Sequence, residues 1–324
     1  MKILQIESPG QAAWRDAPMP ELEAGEVLVK VEGITTCPHW DMHILDGRPM
    51  FADRPLNYPY VPGEPGHEAV GEVVAFAPDV QGFEIGMRVA AWRDPGGRRQ
   101  GCYAQYASLS AAHLIEVPKT LPAKSIASLE LAMCVQGSME RLQAVDAVQG
   151  KRVCVSGLGA AGLLAVQMMR ASGAGEIVGI DPQAERRDLA MQLGVDIALD
   201  PDDSSVPIER FAANSFDAAL DTTGLSPVIE GLMQGTNEAV AIFGVLREDV
   251  KFGPAQWWGG FALLGYGTHE RRHAEQALKW INAGQLDLSA IVTHELPLTR
   301  YAEGVELLRQ KQAIKVLFLP WHEA

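Results

Sequence analysis

Apolar positions along this chain follow two different periods, and the change falls near residue 125. Before it, short apolar or alternating runs are separated by Gly and Pro clusters: Val27 to Val31, Ala69 to Phe76, Arg88 to Trp92, Tyr103 to Ser108 and Leu114 to Val117. Runs of this length bounded by turn residues predict strands. The opening stretch, Met1 to Glu7, alternates in the same way, and Asn57 to Gly66 is a loop rich in Pro and Gly. After residue 125 the texture becomes helix and strand in turn. A helical region is expected over Ser125 to Val145, weakened by Gly137. Strands follow at 152–156, 176–180, 196–199, 216–220, 238–243 and 261–265, with helices at 161–172, 184–193 and 226–234. Helix 271–283, a helical Leu298 to Lys311 and a closing strand from Ile314 to Leu319 complete the chain. Strands alternating with helices imply a parallel sheet with crossover helices, so the predicted class is α/β with an additional β-rich domain.

The turn after the 152–156 strand carries Gly157-Leu158-Gly159-Ala160-Ala161-Gly162, and the next predicted strand ends in Asp181. A Gly-x-Gly-x-x-Gly between strand and helix, with an acid after the next strand, is the Rossmann dinucleotide fingerprint. The first glycine permits a tight turn, the second admits a pyrophosphate to the backbone, and the third lets helix and strand pack closely. Phosphates then sit on the unpaired N–H groups of the helix N-terminus. A carboxylate at Asp181 would bind ribose hydroxyls and repel a 2′-phosphate, which favours NAD over NADP. Arg186 and Arg187 follow; they read either as solvated helix charges or as groups that temper that preference.

The chain has 324 residues, 47% hydrophobic and 21% charged, enough for two domains with cores of their own. Its formal net charge of −14 argues against nucleic acid or an anionic membrane as partner. No run approaches the ~20 apolar residues of a membrane span, and the N-terminus lacks a signal-peptide core, so a cytoplasmic location is expected. The four cysteines, Cys37, Cys102, Cys134 and Cys154, are widely spaced without a Cys-x-x-Cys pair, which reads as thiols or metal ligands.

Three of the chemistry-bearing positions suit one metal. Cys37, His67 and Cys134 offer two thiolates and an imidazole, the N and S donors zinc takes tetrahedrally; three protein ligands leave an open, catalytic position. Glu68 would be a fourth ligand or a support for the others. Each residue alone also has an ordinary structural reading.

Gly66-His67-Glu68-Ala69-Val70-Gly71-Glu72-Val73-Val74, the preceding Cys37, the helix bearing Cys134, the glycine fingerprint, Asp217 to Gly224 and Ala313 to Leu317 together resemble the zinc-containing alcohol dehydrogenases of the medium-chain dehydrogenase/reductase superfamily. The resemblance runs nearly the whole length. It implies a β-rich GroES-like catalytic domain (1–134 with 268–324) and a Rossmann domain (135–267). It implies hydride transfer between an alcohol, or its aldehyde or ketone, and NAD(H), with zinc as Lewis acid on the substrate oxygen. Cys37, His67 and Cys134 would hold that zinc with Glu68 beside it, and Glu130, one helical turn before Cys134, is the alternative third ligand. His39 stands where relatives often carry a proton-relaying Ser or Thr. Trp40 holds a place where relatives often carry Asp, and Asp41 lies one further on. Thr223, Gly224, Gly244 and Val245 would line the cofactor cleft. The four-cysteine lobe of many relatives is absent from Trp92 to Gly101, so no structural zinc is expected. A homodimer or homotetramer, paired through an edge strand near Phe261 to Gly265, is expected. Trp40, Met42, Met50, Phe51, Tyr58, Trp92, Trp257 and Trp258 are candidate pocket residues. Two other readings stay open: a zinc-free NADPH-dependent quinone or enoyl reductase of the same superfamily, and a nucleotide-binding protein without turnover.

Overall fold

A computed structural model describes residues 1–51, 55–92 and 100–322. In chain order it begins with β1 (Lys2–Ser8), β2 (Gln11–Asp16), β3 (Glu26–Thr35), α1 (Pro38–Leu45), β4 (Glu68–Phe76), β5 (Arg88–Ala91), β6 (Tyr106–Ser110) and β7 (Leu114–Glu116). Next come α2 (Leu129–Gln143), β8 (Arg152–Ser156), α3 (Ala160–Ala171), β9 (Glu176–Ile180), α4 (Ala184–Gln192), β10 (Ile197–Leu199), β11 (Phe216–Asp221) and α5 (Ser226–Gly235). The chain closes with β12 (Thr236–Ile242), α6 (Pro254–Trp257), β13 (Ala262–Leu264), α7 (Arg271–Asn282), β14 (Val292–Pro297), α8 (Tyr301–Arg309) and β15 (Lys315–Leu319).

These elements form two compact units, Met1–Leu131 with Leu288–Ala324, and Ala132–Asp287. The family resemblance puts the edges at 134 and 268; here α7 lies in the second unit. The physical ties are local to it: His273 Nε2 lies 3.0 Å from Glu140 on α2, and the Asp287 N–H donates to Gln167 on α3 at 2.7 Å.

The first unit is built on a sheet ordered β14-β15-β3-β4-β5-β7, with β6 also paired to β3. Strand β3 is its axis, since Val27, Val29, Val31 and Ile34 are all buried there. The closing strand β15 runs antiparallel to it, Leu317 opposite Thr35 and Phe318 opposite Ile34. The strand expected at Tyr103 to Ser108 starts later, at Tyr106, because the N–H groups of Cys102 and Tyr103 donate to Gly66 and Gly63 rather than to a ladder.

The second unit is a six-stranded parallel sheet ordered β10-β9-β8-β11-β12-β13. That is the doubly wound order, whose direction of growth reverses between β8 and β11 and so opens a crevice at the carboxyl ends of those strands. Strand β8 is apolar on both faces, as a central parallel strand must be. The α/β class expected from the sequence holds, with its β-rich companion. Among the described residues no helix is long and apolar enough to cross a membrane. The stretch compared above with a structural-zinc lobe lies, at 93–99, outside the described residues.

Candidate functional site

In the first unit the metal-ligating candidates sit where strands end. Cys37 links β3 to α1, and Pro38, at the first helical position, presets the helical turn that follows. His67 immediately precedes β4. Its Nδ1 lies 2.8 Å from the Pro65 carbonyl oxygen, which accepts the ring proton and turns Nε2 toward the other candidates. Ligand atoms of Cys37, His67 and Glu68 all lie within 4.8 Å of one another, and Glu130 Oε2 is 4.0 Å from His67 Nε2.

The electrostatics of this group favour a cation. Burial alone would lower the His67 pKa, but the hydrogen bond to the Cys37 thiol and the Glu130 and Glu68 carboxylates raise it well above the ordinary imidazole range. Burial pushes the Cys37 thiol up, an effect only partly offset by its hydrogen bond to His67. Sulfur and carboxylate acceptors thus converge on one imidazole in a buried place, a donor set that fits zinc.

Glu68 has a second commitment. Its Oε2 accepts a short hydrogen bond from Lys315 Nζ and another from Thr35 Oγ1 at 3.1 Å, and Thr35 in turn pairs with Ser128 at 2.9 Å. Lys315 is wholly buried, so this is a true interior ion pair. The sequence reading missed Lys315 as a partner of Glu68. His39 is exposed on the first turn of α1, while Trp40 packs edge-to-face on Phe51.

Helix α2 carries Glu130 and, one turn later, Cys134. In the second unit Cys134 is buried, its Sγ 3.4 Å from His269 Nδ1, and the Tyr266 hydroxyl is 3.0 Å from the same nitrogen. His269 and Tyr266 lie in the segment after β13, where only an isolated histidine signalled them. Trp257 and Trp258, candidates for a pocket, are instead 73% and 70% exposed on the second unit.

The nucleotide fingerprint of the second unit has the geometry its glycines predict. Gly157 turns at φ +85, and a Cβ at Gly162 would overlap the Gly157 carbonyl. Gly159 is the N-cap of α3, Ala160 and Ala161 form its first turn, and Leu158 is buried beneath the loop. Asp181 Oδ2 accepts the Leu158 N–H at 2.8 Å, and Oδ1 accepts that of Gln183 at 2.8 Å. The carboxylate is therefore fixed against the glycine loop. Arg186 approaches it at 3.9 Å, and Arg187 turns to the Asp181 carbonyl and Asp200.

Beside this loop, Asp221 ends β11 and accepts hydrogen bonds from the Thr223 N–H and hydroxyl and the Gly224 N–H. Thr222 Oγ1 donates to the carbonyls of Ser156 and Gly157, tying this turn to the fingerprint. Gly224 and Gly244 meet backbone to backbone, and a Cβ on either would collide with the other turn. Thr223, Gly224, Gly244 and Val245 thus share the rim at the carboxyl ends of β11 and β12, and Val245 is exposed there.

A GroES-like sheet bearing thiol, imidazole and carboxylate donors, continued by a doubly wound nucleotide unit, defines a nicotinamide-dependent dehydrogenase. Residues 23–119 match the alcohol dehydrogenase GroES-like domain, and residues 160–283 match the zinc-binding dehydrogenase domain. L-threonine 3-dehydrogenase from Proteus mirabilis (strain HI4320) is 28% identical over 351 residues, covering 99% of this chain and 100% of that protein. The enzyme of the same name from Legionella pneumophila (strain Corby) is 26% identical over 354 residues, covering 99% and 100%. Among solved structures, 2R,3R-butanediol dehydrogenase from Bacillus subtilis has a TM-score of 0.84 at 23% identity, covering 98% of this chain and 99% of that one. An alcohol dehydrogenase from Thermus sp. ATN1 has a TM-score of 0.85 at 22% identity, covering 98% and 99%; both share the fold. The chain belongs to the zinc-containing alcohol dehydrogenase family of the medium-chain dehydrogenase/reductase superfamily. It is an NAD(P)-dependent zinc oxidoreductase acting on CH–OH donors, and neither the zinc-free reductase nor the non-catalytic reading is favoured.

Proposed function

We propose that this chain oxidises a small, predominantly apolar alcohol with NAD, using one zinc ion bound through Cys37, His67 and a third ligand from α2. The observation that carries the reading is the His67 ring, fixed by Pro65 so that Nε2 faces the Cys37 thiol and the Glu130 carboxylate. Cys134 is the third ligand that the family resemblance implies, and Glu130 Oε2 stands 4.0 Å from His67 Nε2. Zinc held by these residues would supply a Lewis acid for a substrate oxygen, and a nicotinamide held at the glycine loop would supply the hydride acceptor. His39 takes the hydroxyl proton on its exposed ring and passes it to solvent. Glu68, neutralised by Lys315, steadies the ligand cluster rather than completing it.

Asp181, held by two backbone N–H groups, binds the adenosine ribose and makes NAD the preferred acceptor, with Arg186 limiting the margin against NADP. Trp40 and Phe51, beyond Cys37 on the chain, support a hydrophobic substrate over a polyhydroxylated one. The relatives named for threonine and butanediol supply the first compounds to try. The protein acts as a homodimer or homotetramer paired through the edge strand β13, beside which Trp257 and Trp258 stand exposed.

The test is a turnover screen of apolar alcohols, L-threonine, 2,3-butanediol and sugar alcohols with both cofactors, run beside metal analysis. About one zinc per chain, lost in Cys37→Ser and His67→Ala, with NAD-linked turnover of apolar alcohols, is the expected result. Cys134→Ser and Glu130→Gln then identify the third ligand by which of them loses the metal. A metal-free protein with full turnover would sink the zinc reading, and equal efficiency with NADP would sink the cofactor preference.

A further inference from the structure

Asp41 is fully buried, yet it is not among the grouped metal-ligand candidates, and His67 acts on it only through charge. Its hydrogen bonds go elsewhere. Oδ2 accepts the Cys37 N–H at 2.7 Å, and Oδ1 accepts the hydroxyls of both Tyr103 and Tyr301 at 2.8 Å each. The two tyrosines are themselves wholly buried, stack edge-on at 5.2 Å and both pack against Phe318. A buried carboxylate with three donors converging on it is rigid, because loosening any donor exposes uncompensated charge.

Tyr103 also reaches the other ligand loop. A Cβ on Gly66 would collide with the Tyr103 backbone and ring, and the neighbouring Cys102 N–H donates to the Gly66 carbonyl at 2.7 Å. One tyrosine therefore braces the residue before His67 with its backbone and the residue behind Cys37 with its hydroxyl. Tyr301, from the start of α8, clamps the same carboxylate from a segment remote in sequence.

We propose that Asp41, Tyr103 and Tyr301 form a lock that holds the Cys37 and His67 loops in register for metal binding, Asp41 being a positioning residue acting through the Cys37 backbone. His67 leans on the Pro65 carbonyl, so the buried carboxylate serves the cysteine loop instead of the histidine. This rests on the zinc reading of the same site.

The experiment follows zinc release from purified protein to a chromogenic chelator, together with the thiolate-to-metal absorption of the cobalt-substituted form. Tyr103→Phe, Tyr301→Phe and the double variant each delete only hydroxyls; Asp41→Asn deletes the charge. Val27→Ala, in the same core, controls for general loosening. The double Tyr variant and Asp41→Asn are expected to release zinc at least about tenfold faster than wild type and to shift the cobalt–thiolate band. Val27→Ala, at matched loss of thermal midpoint, does neither. Release at the wild-type rate, or acceleration no greater than that of Val27→Ala, overturns the lock while leaving the zinc site intact. A wild-type protein that carries and takes up no zinc overturns the underlying reading and the lock with it. Should Asp41→Asn fail to fold, the hydroxyl deletions decide alone.

Discussion

Lys315 shows how much a single residue can hide from a sequence reading. Lysine is almost never fully buried unless paired, and in Ala313 to Leu317 it looks like the solvated position of a closing strand. Its partner, Glu68, lies far earlier in the chain. Removing one half of a buried ion pair strands the other charge, so Lys315→Met is expected to lower unfolding free energy by about 3–5 kcal/mol. Urea titration checks this, and a loss under about 1 kcal/mol would mean that water relieves Glu68. Asp41 was equally hard to weigh, because its donors sit on Tyr103 and Tyr301 and nothing local announces them. The glycine turn was legible, since its geometry resides in residue type and short spacing, whereas Cys37 and His67 lie far apart in sequence and were singled out through the family resemblance. Asp221 offers a pH signature. Burial raises its pKa despite the donors of Thr223 and Gly224. A carboxyl raised in the folded state contributes stability that is present below the unfolded carboxylate range and is lost as pH rises through its folded value. Wild type should therefore lose stability relative to Asp221→Asn between pH 4 and neutrality; urea midpoints measured across that range would show the opposite slope if this is wrong.

Among elements, the strand-turn-helix around the fingerprint was the most readable and is the most constrained. Its helix begins at Ala160 and its strands end at Ser156 and Ile180, close to where the pattern places them. Gly162→Ala puts a methyl into the Gly157 carbonyl, and the loop must open to admit it. The expected cost is about 2–4 kcal/mol in stability, with NADH affinity, read by nicotinamide fluorescence, falling about tenfold or more. An unchanged affinity would show that the phosphates do not rest on this loop. Four elements were not legible, the single-turn α6 among them. Helix α1 is only two turns long, with a weak apolar face and an isolated proline start. Strand β2 is half-exposed along its length. Strand β14 mixes polar and apolar residues because it is an edge, paired among the described residues with β15 alone. Short or edge elements draw their order from tertiary pairing, which leaves little periodic trace.

At the scale of the molecule, the edge of the second unit's sheet sets the next expectation. Among the described residues strand β13 has a neighbour on one side, and exposed sheet edges are usually covered or paired. Sedimentation velocity at micromolar concentration should show a dimer or larger. Trp257→Glu with Trp258→Glu should shift it toward monomer, and a wild-type protein that sediments as a monomer would rule the pairing out.

The first unit is closed by the last stretch of the chain. Strand β15 lies against β3, Tyr301 anchors Asp41, and Lys315 neutralises Glu68, all from residues translated after the entire nucleotide unit. A nascent chain emerging from the ribosome can fold its nucleotide unit first, but the Cys37 and His67 loops gain these contacts only after α8 and β15 have emerged. At the proposed zinc site, metal uptake is thus expected to follow the emergence of α8 and β15. A product truncated before α8 lacks both Tyr301 and Lys315, and metal analysis is expected to find less zinc in it than in the full chain.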